Sequence, residues 1–188
     1  MNYIEEKTFS AGDILAEDFE TASYESCTFS HCDLTNVILN NSEFIECTFE
    51  YCNLSNAKVE KASFRTVTFI DSKLTGIDFS LCNQSMLAVS FKNCLLDYVS
   101  FARLYLRKTE FDTCSMIRVF FDNADLAGSM FSNCNLENAV FLGTNLEKAD
   151  LTSSYNFIID PEQNKVKKAK FSLTGAIGLL SKYGIIIE

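Results

Sequence analysis

An apolar residue recurs at every fifth position from Phe9 (Phe9, Ile14, Phe19, Tyr24, Phe29, and so on) up to Phe79. The phase then slips by two residues, and the series resumes at Met86 and Phe91 and runs in fives to Leu151. At 47% hydrophobic residues, 29 consecutive apolar centres would arise by chance roughly once in a billion trials, so the period is a property of the fold. Two residues before most centres sits a small or modest side chain, such as Cys27, Cys32, Val37 or Ser42; Glu17, Ile77 and Leu104 are the misfits. The remaining positions are mostly polar. A helix repeats every 3.6 residues and an open strand every two, so neither explains a period of five. A coil that turns a corner every five residues does. Four such sides give a turn of 20 residues, with each centre and the small residue two before it pointing inward.

Stacked at that spacing, the columns keep their character. One reads Phe9, Phe29, Phe49, Phe69, then Phe91, Phe111, Phe131 and Leu151 across the slip. The slip at Leu81–Ser85 therefore reads as a bulge at one corner. It leaves Gln84 where an apolar centre is expected. About seven turns at ~4.8 Å each make a rod on the order of 35 Å long.

Segments such as Ala124-Asp125-Leu126-Ala127-Gly128 and Ala149-Asp150-Leu151-Thr152-Ser153 resemble the A(D/N)LXX unit of pentapeptide-repeat proteins. The resemblance implies an all-β fold, a right-handed quadrilateral β-helix, over residues 1–153, followed by a C-terminal capping and dimerisation segment, 154–188. Fold alone assigns no function here.

Composition narrows the chemistry. Seven of the eight Cys occupy the small inward position, and Ser72 and Gly12 replace Cys on the same column. That exchange makes size the property the site requires, and a straight ladder of thiols does not converge on a metal. The single His, His31, is expected to face solvent, away from Cys32. No phosphate loop, HExxH, GxSxG or dinucleotide pattern is present, so no enzyme activity, cofactor or metal site is expected. A pI near 4.7 disfavours direct binding to nucleic acid or to anionic membranes. The first residues lack a basic and an apolar region, and no apolar run reaches membrane-spanning length, so a cytoplasmic location is expected.

After Leu151 the repeat stops. Asp160-Pro161-Glu162 reads as a turn, a Lys-rich stretch follows, and Phe171 to Glu188 is apolar. Ser172 or Thr174 can start a short helix and Gly184 can end it. Leu173, Ala176, Ile177, Leu179, Leu180 and Tyr183 would share its apolar surface, and Ile185 and Ile187 would extend it. That is more apolar surface than a narrow coil end can bury, so these eight residues are expected to cap the rod and join two copies. A helix and tail of this kind also resemble the Qnr-type quinolone-resistance proteins and their gyrase-inhibiting relatives. The resemblance implies a dimeric rod that mimics DNA and binds type II topoisomerases. Qnr proteins carry projecting loops needed for drug protection, whereas this repeat has only the two-residue slip, which makes the loopless relatives the nearer match.

The net charge of −9 is unevenly spread. Residues 1–57 carry −10, 58–118 carry +3, 119–160 carry −5 and 161–188 carry +3. DNA carries one charge per ~1.7 Å of axis, a density that only the N-terminal turns match. The expected partner surface is therefore Asp13, Glu17, Asp18, Glu20, Glu25, Asp33, Glu43, Glu46 and Glu50. Two functions remain open: a topoisomerase-binding DNA mimic, and a generic pentapeptide-repeat scaffold for another protein. Acidic surface that merely keeps a Phe-rich rod soluble fits the latter.

Overall fold

A computed structural model of the chain describes residues 2–14, 16 and 19–186. It is a parallel β-solenoid of about eight turns with one short C-terminal helix. On one side of the rod, β2 (Thr8–Phe9), β4 (Thr28–Ser30), β6 (Thr48–Glu50) and β8 (Val67–Ile70) stack in parallel. The same sheet continues through β9 (Val89–Lys92), β10 (Glu110–Asp112), β11 (Met130–Ser132), β12 (Asp150–Leu151) and β13 (Lys170–Phe171). This is the first side. The side that precedes it in each turn, the fourth, holds β1 (Asn2–Glu5), β3 (Ala22–Glu25), β5 (Glu43–Ile45) and β7 (Ser63–Arg65). The second side holds the columns of Leu34 and Leu54, and the third those of Leu39 and Val59; both are linked by isolated parallel bridges such as Asp33 to Asn53 and Ile38 to Lys58.

The period of five is the folding rule. Every centre is buried except Ile14 and Phe19, which are half-buried, and Met86. The residue two before is buried from Ala22 onward except Gln84 at the slip, the misfits Ile77 and Leu104 included. Gly12 is exposed, so the pattern is looser on the second side of the first turn. From Tyr24 to Leu146, away from the slip, corners fall two residues after the centre, in left-handed backbone, and Asn often supplies them: Asn36, Asn41, Asn56, Asn123 and Asn138 have φ of 55 to 60°. The recurrent Asp or Asn just before a centre accepts hydrogen bonds from the residue just after it. Asp33 takes the Thr35 N–H (3.2 Å) and hydroxyl (2.6 Å), and Asp150 takes those of Thr152 (3.1 and 2.7 Å). The repeat's acidic position thus has a structural use before any other.

The slip is resolved in detail. Ser63 pairs with Asn83 at a spacing of 20, but Val67 pairs with Val89 at 22. The two extra residues therefore lie between Asn83 and Val89. A single 3-10 turn, Phe79–Leu81, leads into them, with Asp78 accepting from the Ser80 N–H. Met86 was expected to point inward; it is 69% exposed, and Leu87, half-buried against the core, fills that side instead. The extra residues rotate the inward position by one. Aromatic stacking changes sides here. Tyr24, Phe44 and Phe64 stack on the fourth side at 5.3 and 5.4 Å. Beyond the bulge, Phe79, Phe101, Phe121 and Phe141 stack on the third at 5.4, 5.5 and 5.2 Å. Only the first side is continuous through the bulge, with Phe69 to Phe91 at 5.3 Å and Phe91 to Phe111 at 5.4 Å.

The coil also runs further than the sequence motif at both ends. Ile4 occupies a centre position and pairs with Tyr24. Past residue 153, Tyr155 bridges Asn135, Lys165 bridges Asn145 and Lys170 pairs with Asp150, so another turn ends at Phe171. In it Asn156 and Pro161 stand where centres would be, while Phe157, Ile159 and Asn164 are buried. The helix is shorter than expected: Ser172 caps a turn through the Gly175 N–H (2.9 Å), α1 spans only Ile177–Leu180, and a 3-10 turn, Ser181–Tyr183, ends at Gly184 with φ 60°.

Candidate functional site: the charged sides and the cap

The buried thiols come first, because a ladder of cysteines could carry chemistry. All but Cys82 donate to a carbonyl of the preceding turn, as Cys47 does to Tyr24 (3.3 Å), Cys52 to Phe29 (3.3 Å) and Cys134 to Phe111 (3.4 Å). Ser129, Thr144 and Ser154 make the same bond to Leu106, Phe121 and Phe131 at 2.7, 2.8 and 2.7 Å. On the second side, from Cys32 to Ser154, the position is thus filled by small side chains that can donate across turns, which is why Cys and Ser exchange there, while on the other sides Ala and Val also fill it. All eight cysteines are free and buried, and among the described residues no three His, Cys, Asp or Glu side chains converge on a metal-sized site. Burial pushes the thiol of Cys47 up to about 11 and those of Cys52 and Cys82 up to about 12.

Raised thiols make the fold sensitive to alkali. Below the unfolded thiol value, near 8.5, both states are protonated and the thiols contribute nothing to pH dependence. Above it the unfolded chain releases protons that the folded chain keeps, so stability falls as pH rises. Urea melts at rising pH should show flat stability up to about pH 8, then a loss on the order of 1 kcal/mol for each of Cys47, Cys52 and Cys82 per further unit. A flat profile to pH 10 would contradict the burial of these groups.

The nine acidic residues expected to form a partner surface do not share one side. Glu25, Glu43 and Glu46 lie on or at the edge of the fourth side, Glu50 on the first, Asp13 and Asp33 on the second and Glu20 on the third. Glu17 and Asp18 lie outside the described residues. Several have local duties. Asp13 accepts from the Ser10 N–H (2.7 Å), Glu43 lies 3.9 Å from Arg65, and Glu25 accepts from the Tyr3 hydroxyl (2.6 Å). The Thr35 bonds hold the Asp33 carboxyl below the usual range. Glu5 and Glu6, not among the residues expected to form the partner surface, join Glu25, Glu43 and Glu46. The N-terminal half of the fourth side is the densest acidic patch on one face; Glu5 sits directly over Glu25. The period itself could have located it, since residues 20 apart share a side.

The fourth side reverses sign beyond the bulge. Arg107, Lys108, Lys148, Lys165, Lys167 and Lys168 are exposed there, against Asp125 and Glu147. Arg107 is paired with Asp125 at 2.7 Å.

At the C-terminus the cap is clamped to the last turn by charge. The Lys182 ammonium lies 2.7 Å from both Asp160 and Glu162, and the Tyr183 hydroxyl donates to Glu162 (3.1 Å). Lys182 holds both carboxyls below their usual range. Of the apolar residues expected to join two copies, Leu173 is 92% exposed, and Ile177, Leu180, Tyr183 and Ile185 are exposed too. Ala176 is half-buried, and Leu179 packs on the core. Ile187 lies outside the described residues.

The family is shown by matches to family models. A model described as a pentapeptide repeat region matches residues 17–88, and one described as pentapeptide repeats (8 copies) matches residues 120–154. Together they span more than half of the chain, which belongs to the pentapeptide-repeat proteins. No curated protein matches it. Among solved structures, one trypsin-treated variant of QnrB1, a plasmid-mediated fluoroquinolone resistance protein, aligns with a TM-score of 0.64 at 19% identity. The alignment covers 100% of this chain and 98% of QnrB1. A second trypsin-treated QnrB1 variant aligns with a TM-score of 0.64 at 20% identity, covering 100% and 99%. The chain therefore shares the QnrB1 fold along its whole length.

Proposed function

We propose that this chain is a non-catalytic, cytoplasmic DNA mimic that binds the DNA-gripping surface of a type II topoisomerase, DNA gyrase or topoisomerase IV. The observation that supports this most is the density of net negative charge over the first turns. Net −10 over about 12–14 Å of axis is comparable to duplex DNA at one charge per ~1.7 Å. A positively charged groove that grips DNA would take that end first and be steered to it. The fold shared with QnrB1 is consistent with such a partner. The bulge projects only two extra residues, which favours modulation of the enzyme over protection from quinolones. A scaffold for some other protein is the second reading; the basic stretch of the fourth side, unlike DNA, favours it. Supercoiling assays with purified protein separate the two. Inhibition at micromolar protein supports the mimic, and no inhibition together with no drug protection overturns it.

The exposed apolar residues of the cap support a homodimer through that end. Replacing Ile177 and Leu180 with Asp should convert a dimer to a monomer by light scattering at high salt without unfolding the chain, since neither side chain is in the core. An unmodified chain that is already monomeric would remove this interface.

A further inference from the structure

The fourth side is a flat face with acid at one end and base at the other, and its charges are sorted. Near its centre, Glu43 and Arg65, and then Arg107 and Asp125, offset each other within the chain. At the N-terminal end, Glu5, Glu6 and Glu46 form no ion pair with any described residue. At the C-terminal end the same holds for Lys148, Lys165, Lys167 and Lys168. Both groups precede the same nine-stranded first side, so they project from one side of the rod, with Glu5 and Lys167 eight turns, on the order of 40 Å, apart along the axis. Between them the bulge exposes Met86 at 69% and the next turn exposes Tyr105 at 70%.

We propose that this side docks a second copy of the same chain, packed antiparallel about a two-fold axis near the bulge. Rotation about that axis brings Glu5 and Glu6 of one copy against Lys165, Lys167 and Lys168 of the other, twice. Met86 then lies at the centre of the contact, flanked one turn out by Tyr105, Arg65, Arg107 and Lys108, with the ion pairs at its two rims. Self-complementarity is what identifies the occupant: the unpaired acids and the unpaired bases lie on one face of one molecule, on either side of the exposed Met86. A rod side of this length is small beside a standard interface of ~800 Å² per partner, so the association is weak and dominated by screenable charge. The surface stands apart from the topoisomerase reading, but the two share carboxylates. If both hold, self-association hides the acidic end.

Sedimentation velocity on the full chain tests this, using the Ile177→Asp, Leu180→Asp background so that the cap cannot contribute. Association should be present at ~0.05 M salt and weaken tenfold or more by ~0.5 M. The triple change Lys165→Glu, Lys167→Glu, Lys168→Glu and the double change Glu5→Lys, Glu6→Lys should each abolish self-association. An equimolar mixture of the two variants should associate again as a heterodimer, which a folding defect in either could not produce. Three results would overturn the proposal: a salt-independent dimer, reversal variants that associate as before, and a monomer whose basic end instead retains heparin in a Lys-dependent way. None of these outcomes depends on a topoisomerase, so failure here leaves the supercoiling test intact.

Discussion

Phe91→Ala should destabilise the protein by about 3–5 kcal/mol and split its unfolding into two transitions. Phe91 is almost fully buried, stacked between Phe69 and Phe111, with the edges of Phe79 and Phe101 at 6.2 and 5.6 Å. Loss of a buried Phe in so tight a column leaves a void that neighbouring rungs, held by cross-turn hydrogen bonds, cannot close. The position matters as much as the size. Stability in a solenoid passes from rung to rung, and only the first-side column carries aromatic stacking straight across the bulge. Phe9→Ala, at the end of the same column, should cost clearly less, because Phe9 has a stacked neighbour on one side only, Phe29 at 4.9 Å. Urea melts followed by circular dichroism check both. Equal costs for the two, or a single sharp transition for Phe91→Ala, would contradict a chain of coupled turns.

Reversing charge on the acidic half of the fourth side should lower topoisomerase affinity by tenfold or more. The variant is Glu5→Lys, Glu6→Lys, Glu25→Lys and Glu46→Lys, and of the four carboxylates only Glu25 has a side-chain bond among the described residues, accepted from the Tyr3 hydroxyl (2.6 Å). Asp33 is the control. Its carboxylate accepts from Thr35, so Asp33→Asn keeps the turn bond and changes only charge, while Asp33→Ala loses the bond at about 1 kcal/mol of stability. Comparing the two separates charge from folding. Four reversals in a steered interface change association rate most, so the loss should shrink at high salt.

Much of this was legible in the residues. Five-residue spacing fixed the sides, the inward columns and the role of the cysteines, because each depends only on position modulo 20. Three features escaped for physical reasons. The final turn holds Asn156 and Pro161 at the centre positions and buries Phe157 and Ile159 instead, so it keeps the 20-residue pairing while breaking the five-residue pattern. At the bulge, Met86 keeps the phase in sequence, but two inserted residues turn it outward and Leu87 inward. Asp and Asn before the centres looked like free surface charge, yet several close turns, as Asp33 and Asp150 do. The acidic list read along the chain therefore overstated the patch, and assigning each acid to a side reduces it to the fourth side's first turns.

The most direct measurement is equilibrium binding of the purified protein to purified gyrase, with and without a competing linear DNA duplex. The account predicts binding in the micromolar range or tighter that duplex DNA displaces and that the four-fold Glu→Lys variant loses. Binding that duplex DNA leaves untouched, or no binding at all, would contradict it.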